Sequence, residues 1–378
     1  MWLSGHIFFI RSTTMENETL RTSIIPIFIP HIGCPYRCVF CNQWRITGHA
    51  GVPDASEVRH LIHTYTQGVG KRHWEAAFYG GSFTAIPASL QESLLEPAYK
   101  ALQAGRIDAI RCSTRPDCIT GPILRRLQRY GMTTVELGVQ SMDDNVLEQA
   151  RRGHTARQVI EATALLRQYG FTVGHQLMPG LPGEDWTSLS HTTGVICGLK
   201  PDIARIYPVA VIAGTELAES WQKGEYQALT IHEGVRRAAY MKQHFLSHGI
   251  QVIRTGLQAT ENLDDPSQVL AGAYTPAMGE MVDTRRYQLQ LFAALDRILS
   301  GCQSGDVVIS YHRRDRSRVR GIRNVTVHRS RLRYGREFLW NEDDAVPMHH
   351  IRVTARMGTW LIDTDRNQIF PDLPDADR

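Results

Sequence analysis

Six short apolar or β-branched runs, each separated from the next by a helical pattern, constrain most strongly what this chain can fold into. The runs lie at 24–29, 76–79, 109–112, 134–138, 172–178 and 204–209, with helical patterns at 56–65, 88–102, 122–129, 156–169 and 186–197 between them. Strands alternating with helices of this length need crossover connections, which are right-handed and produce a parallel sheet covered by helices. Six such units predict a partial, six-stranded parallel β/α barrel. In that geometry reactive groups collect at the carboxyl ends of the strands. Cys34, Gly80-Gly81, Ser113-Thr114-Arg115, Gln140-Ser141, Pro179-Gly180 and Tyr207-Pro208 each stand at the end of one run.

Downstream, the periodicity predicts helices over 232–248 and 287–299, with an apolar run at 250–253 between them. Loop chemistry at 300–305 precedes runs at 307–310, 324–328, 351–355 and 359–362 that alternate like strands of a small α+β module. The division expected is an amino-terminal segment 1–22, a core 23–260, a helical extension 261–300 and a basic carboxyl-terminal α+β module 301–378. Met15 opens a polar run leading into the first strand, so the true start of the chain is open. The apolar stretch 7–10 is too short to span a membrane, and Arg11 follows it rather than preceding it as in a signal peptide. No membrane association and a cytoplasmic location are expected. The oligomeric state is not encoded in any pattern.

Three of the seven cysteines fall in one loop, Cys34-Pro-Tyr-Arg-Cys38-Val-Phe-Cys41. A tight cluster in a long chain reads as a metal site rather than a disulfide framework. Three thiolates on such a loop can hold a cubic iron–sulfur cluster and leave one iron open to an exogenous ligand. A structural zinc site completed by His31 or His49, or three unpaired core thiols, are the alternatives. Zinc sites usually use Cys-x2-Cys pairs, and core thiols do not usually sit in a loop containing Pro35 and Arg37. Cys112, Cys118, Cys197 and Cys302 are scattered and read as inert thiols.

Cys-x3-Cys-x2-Cys with the aromatic Phe40 before the last cysteine resembles the radical S-adenosylmethionine (radical SAM) superfamily. The resemblance implies a [4Fe–4S] cluster on Cys34, Cys38 and Cys41, with S-adenosyl-L-methionine on the open iron. It also implies an electron donor of flavodoxin or ferredoxin type, and a 5′-deoxyadenosyl radical that removes hydrogen from a substrate. Phe40, Gly80, Gly81, Ser82, Ser113, Arg115 and Gln140 are then the expected cofactor-binding residues. The glycines would let backbone approach the methionine amino group, Arg115 would pair with its carboxylate, and Gln140 would bind ribose hydroxyls. Read without the resemblance, Arg115 pairs with Asp117 to hold the turn, Glu136 is either a buried partnered carboxylate or a catalytic one, and His154 is either a capping-loop histidine or a general base or substrate contact.

Further motifs resemble the Elongator-type group of that superfamily. They are Gly-Gly-Ser-Phe-Thr at 80–84, Ser-Thr-Arg-Pro-Asp at 113–117, Val-Glu-Leu-Gly-Val-Gln-Ser at 135–141, Arg-Arg-Gly-His-Thr at 151–155 and Met-Pro-Gly-Leu-Pro-Gly at 178–183. Oxygen-independent coproporphyrinogen oxidases are more distantly similar. The tail carries no acyl-coenzyme A phosphate loop, so the resemblance implies a radical SAM protein without an acetyltransferase domain. The substrate it suggests is a tRNA base; a small metabolite, or a non-catalytic role carrying a porphyrin or a partner, are the rivals.

The whole chain is nearly balanced, with 42 Lys+Arg against 38 Asp+Glu. Arginines nevertheless crowd residues 301–340, among them Arg313, Arg314, Arg316, Arg318, Arg320 and Arg323. Such a run suits tracking of RNA phosphates and stacking on unpaired bases.

Overall fold

Alternation sets the first strand. In β1 (Thr22–Ile29) the side chains of Ile25, Ile27 and Ile29 are buried in the main apolar core, while Ile24, Pro26 and Phe28 face an internal cavity. The computed structural model describes residues 22–43, 51–67, 72–258, 261–265, 267–300 and 305–371. The amino-terminal segment to residue 21, His49 and Cys302 lie outside the described residues.

The expected units follow in order: α1 (Ala55–Thr66), β2 (His73–Gly80), α2 (Ala88–Gln103), β3 (Ala109–Thr114), α3 (Gly121–Arg129) and β4 (Met132–Gln140). Then come α4 (Asp144–Gln149), α5 (Ala156–Gln168), β5 (Thr172–Leu177), α6 (Trp186–Leu199) and β6 (Ile203–Ile206). Capping boxes at Asp54, Thr155 and Asp185 start α1, α5 and α6, satisfying amide groups that a first helical turn leaves free. The strands pair in parallel and in sequence, forming a curled partial barrel.

The barrel has seven strands rather than six. The sixth run splits: β6 stays in the sheet, and β7 (Ala210–Ile212) leaves it to pair antiparallel with β9 (Val269–Gly272). After α7 (Glu216–Gln222) and α8 (Ile231–Ser247), β8 (Gln251–Thr255) adds beside β6 as the seventh parallel strand. β1 and β8 are the two edges of this sheet and are not paired with each other.

A long helix, α9 (Met278–Leu299), packs on α8 and carries residues of both large apolar cores. Beyond it, β10 (Val308–Tyr311), α10 (Arg316–Arg320), α11 (Val325–Tyr334), β11 (Leu339–Glu342), β12 (His350–Ala355), β13 (Gly358–Asp363) and β14 (Gln368–Pro371) form a five-stranded mixed sheet with helices on one side. The strand expected at 324–328 is a helix instead. Its Val-Thr-Val start is β-favouring locally, but Thr326 and Ser330, one turn apart, are buried on one helical face.

Candidate functional site

The cysteine loop is docked by backbone rather than by side-chain packing alone. The Gly81 amide donates to Ile29 O at 2.8 Å, and the Ser82 amide to Ile32 O at 2.9 Å. A Cβ on Gly81 would stand 2.0 Å from Ile32 O, so this position admits only glycine. The glycine pair is therefore needed first for the chain's own loop, a reason that the sequence pattern did not show. Gln43 Nε2 donates to Gly80 O at 2.7 Å, the Val39 amide to Ala150 O at 3.2 Å, and the Leu217 amide to Val39 O at 2.8 Å. Three separate elements thus grip a loop of otherwise irregular backbone.

Cys34, Cys38 and Cys41 border a cavity of about 1140 Å³ at the carboxyl ends of the strands. Gly80 and Gly81 (β2), Ser113 and Arg115 (β3), Gln140 (β4), Tyr207 (β6) and Arg254 (β8) line it too. Burial first, and then the neighbouring thiols, pushes Cys41 up to about 12, and Cys34 is raised for the same reasons. Arg115 and Arg152 pull the Cys34 thiol back down. Arg152 Nη1 donates to Cys38 Sγ at 3.0 Å, and its Nη2 to Gly138 O at 2.6 Å.

These residues fit a thiolate-held cluster with a polar organic ligand beside it. Arg115 Nη1, Gln140 Oε1 and Arg152 Nε are buried without a hydrogen-bond partner, and all three residues line the cavity. Buried polar atoms are rarely left so unless a ligand satisfies them. Among the described residues no three His, Cys, Asp or Glu side chains converge as a single metal ion requires. Each thiolate of a cubic cluster binds a different iron, so the three sulfurs need not meet at one point.

The barrel lumen beneath the cavity is charged. Glu136, 2% exposed, accepts from Tyr79 OH at 3.1 Å, from Arg111 Nη1 at 3.2 Å and from Arg205. Arg205 Nη2 also donates to Tyr79 OH at 2.7 Å, and Arg111 is bound by Glu75. Parallel barrels usually fill this space with branched aliphatic side chains. Here a quartet of two carboxylates and two guanidiniums does so, and Glu136 is buried and ion-paired on both sides.

Other expected site residues fall as follows. Phe40 is buried in a small apolar cluster and edges the cavity. Ser82 does not line the cavity: it is fully buried, its Oγ 2.8 Å from Thr114 Oγ1 and accepting from the Arg115 amide at 3.3 Å. It holds the Ser-Thr-Arg turn in place. Arg115 grips Asp117 through Nε and Nη2, at 2.9 and 3.1 Å, and stacks over Tyr36 at 5.0 Å, which leaves Nη1 as its unpartnered edge. His154 is buried away from the cavity, bonded to Val139 O at 3.2 Å, and burial lowers it to about 3. Burial keeps its imidazole neutral. Cys118 is not remote, since a charge there would raise Cys34.

Three of these six tail arginines face acids, and most of those acids lie outside the 301–340 window. Arg313 faces Asp344 at 3.4 Å, Arg316 faces Glu342 at 3.3 Å, and Arg318 faces Asp315 at 2.6 Å and Asp283 at 4.0 Å. Arg320 donates to Asn324 at 2.9 Å and covers Trp340. Of the six, Arg314 and Arg323 have no side-chain partner among the described residues. Sequence reasoning passed over Arg152 and Arg254. The first was visible only as part of a motif, and the second lies in the strand that was not assigned to the sheet.

A curled parallel sheet with three cysteines on the loop after its first strand, facing a polar cavity, defines a radical SAM enzyme. Residues 28–193 match the Radical SAM superfamily model and residues 201–288 the Radical_SAM C-terminal domain; the chain belongs to the radical SAM superfamily. The tRNA uridine(34) acetyltransferase of Methanocaldococcus jannaschii is 39% identical over 40% of this chain and 29% of its own length. The protein of the same name from Dehalococcoides mccartyi is 30% identical over 53% of this chain and 52% of its own. The chain thus spans about half or less of these relatives. Elp3 of Methanocaldococcus infernus, solved with its N-terminus deleted, shares the fold at a TM-score of 0.56 and 20% identity, over 95% of this chain and 81% of that one. Among the described residues no helix is long and apolar enough to cross a membrane.

Proposed function

We propose that this protein uses a [4Fe–4S] cluster and S-adenosylmethionine to modify a base in tRNA. The observation that carries the reading is the set of unpartnered buried atoms, Arg115 Nη1 and Gln140 Oε1, in the cavity edged by Cys34, Cys38 and Cys41. The three thiolates would hold the cluster. Arg115 Nη1 would receive a carboxylate, and Gln140 Oε1 a ribose hydroxyl, while Gly80 and Gly81 present backbone with no Cβ in the way. When bound, the group supplies one-electron cleavage of the sulfonium and the hydrogen-abstracting radical chemistry that follows. The chain's own part is to orient both ligands and to keep Arg152 against the Cys38 thiolate.

An anionic substrate suits the remaining cavity wall. Arg37 and Arg254 line it, and Arg254 has no ion-pair partner among the described residues. Glu216, the carboxylate of the lining, is neutralised by Arg151 at 2.7 Å. The matched relatives named as tRNA uridine(34) acetyltransferases favour tRNA over a small metabolite. The acetyl transfer in that name is not part of the proposal.

The test is anaerobic reconstitution with iron, sulfide and dithionite. The protein should release 5′-deoxyadenosine, Cys38→Ala should not, and adding tRNA should raise the release. Wild-type protein that binds iron yet never releases 5′-deoxyadenosine would sink the enzyme reading. Unchanged modified nucleosides in a deletion strain would sink the tRNA reading alone.

A further inference from the structure

Outside the barrel mouth, a groove of about 540 Å³ lies beside α9. His232 from the first turn of α8, Arg285, Gln288, Phe292 and the carboxylate Asp296 from α9, and Arg329 and Arg333 from α11 line it. Arg285 Nη1 and Arg329 Nη1 both donate to one acceptor, Gln288 Oε1, at 3.0 and 3.1 Å. Neither guanidinium has a carboxylate partner among the described residues. By contrast Arg333 is matched by Asp296 at 2.8 Å, and Arg236 by Glu233 at 2.9 Å. Arg285 Nε and Gln288 Nε2 are buried with no acceptor, and Gln288 is 1% exposed.

Two like charges held together over a single amide oxygen repel each other. Burial, with Arg329 and Arg236 nearby, holds the Arg285 guanidinium below its ordinary range. Every unsatisfied group here is a donor and every unneutralised charge is positive, so the missing partner is an anion with several acceptor oxygens. A carboxylate offers two oxygens in one plane. A tetrahedral phosphate offers acceptors in three dimensions and suits donors from two different helices better. We infer that this groove is a phosphate-binding site, built by Arg285, Gln288 and Arg329.

Its position gives the site a role. α8 and α9 both start at the mouth end of the barrel, where Gly279 abuts Thr255 O at the end of β8. Arg285 lies two turns into α9, roughly 10 Å along its axis from that start. The groove shares no lining residue with the cavity at the mouth. The phosphate comes either from an RNA backbone, in which case the inference rests on the tRNA reading, or from a free phosphate-bearing molecule, in which case it does not.

Thermal unfolding of the full, cluster-loaded chain tests the site directly. Millimolar inorganic phosphate should raise Tm by a few degrees over chloride at matched ionic strength. The double variant Arg285→Gln/Arg329→Gln should lose that rise, and Arg313→Gln/Arg316→Gln should keep it. An equal rise in all three, or none in wild type, overturns the site. If the double variant does not fold, Arg329→Gln alone, which removes an exposed side chain, serves in its place. Filter binding of tRNA then separates the sources. A loss of several-fold, with a salt slope smaller by one to two, assigns the phosphate to RNA. Unchanged tRNA binding with the phosphate shift lost assigns it to a small ligand. Neither readout depends on 5′-deoxyadenosine release, so this inference and the proposed activity fail separately.

Discussion

Arg152 Nη1 donates to Cys38 Sγ at 3.0 Å while Nη2 of the same guanidinium holds Gly138 O at 2.6 Å, so one side chain ties the cysteine loop to the end of β4. A fixed cation beside a thiolate favours its charged form, and hydrogen bonds to cluster sulfurs raise reduction potentials.

Arg152→Gln should therefore weaken cluster binding and make the bound cluster harder to reduce. A hydrogen bond to a charged group contributes about 1.5–3 kcal/mol, on the order of ten- to a hundred-fold in affinity. Iron per chain at limiting supply and a potentiometric titration check this. Unaltered iron content and potential would show the contact to be incidental.

Gly81→Ala places a methyl group where Ile32 O stands at 2.0 Å. The expected outcome is loss of iron binding with far-ultraviolet circular dichroism nearly unchanged, because only the loop undocks. Gly194→Ala in α6, where a Cβ meets nothing within 4 Å, should keep its iron and gain about 0.5–1 kcal/mol of stability. Chemical denaturation with iron analysis compares the two.

Removing Glu136 leaves Arg111 and Arg205 without their shared counter-charge in the lumen. Glu136→Ala should destabilise by about 3–5 kcal/mol, the cost of an uncompensated buried charge. A urea midpoint within error of wild type would mean that water or rearrangement replaces the carboxylate.

Burial pushes Glu184 up to about 7, against the pull of the Gly180 amide and of Arg237 Nη1, each at 2.7 Å. An acid whose folded value exceeds its unfolded one binds more protons when folded, so stability falls as pH rises between the two. From about pH 5 to about pH 7 the protein should lose up to about 3 kcal/mol on this account. Glu184→Gln should flatten that slope. Parallel slopes for the two proteins would remove the linkage.

The strand–helix alternation was legible because most helix-facing positions of β1 to β6 are apolar, with His175, bonded to Thr163 of the covering helix, as an exception. The seventh strand was not, since Gln251, Arg254 and Thr255 are polar and its Ile253 is exposed. The cysteine loop and the strand-end motifs could be read from spacing, because their positions follow from chain order. Contacts that cross the barrel, such as Arg205 with Glu136 or Arg152 with Cys38, carry no local signal. The charge of the arginine-rich window could not be judged from the window alone for a related reason: Asp283, Glu342 and Asp344 lie outside it in sequence and against it in space.

The unpaired edges of β1 and β8 have a bearing on how a substrate arrives. A fully closed barrel is a cup, and only something slender enough to enter over its rim can reach the bottom. A sheet that stops short of closure keeps two free strand edges, so its rim is not a complete ring. For the nucleic-acid substrate proposed above, that difference bears on whether a base must be pulled free of its neighbours before it meets the rim or can be everted afterwards.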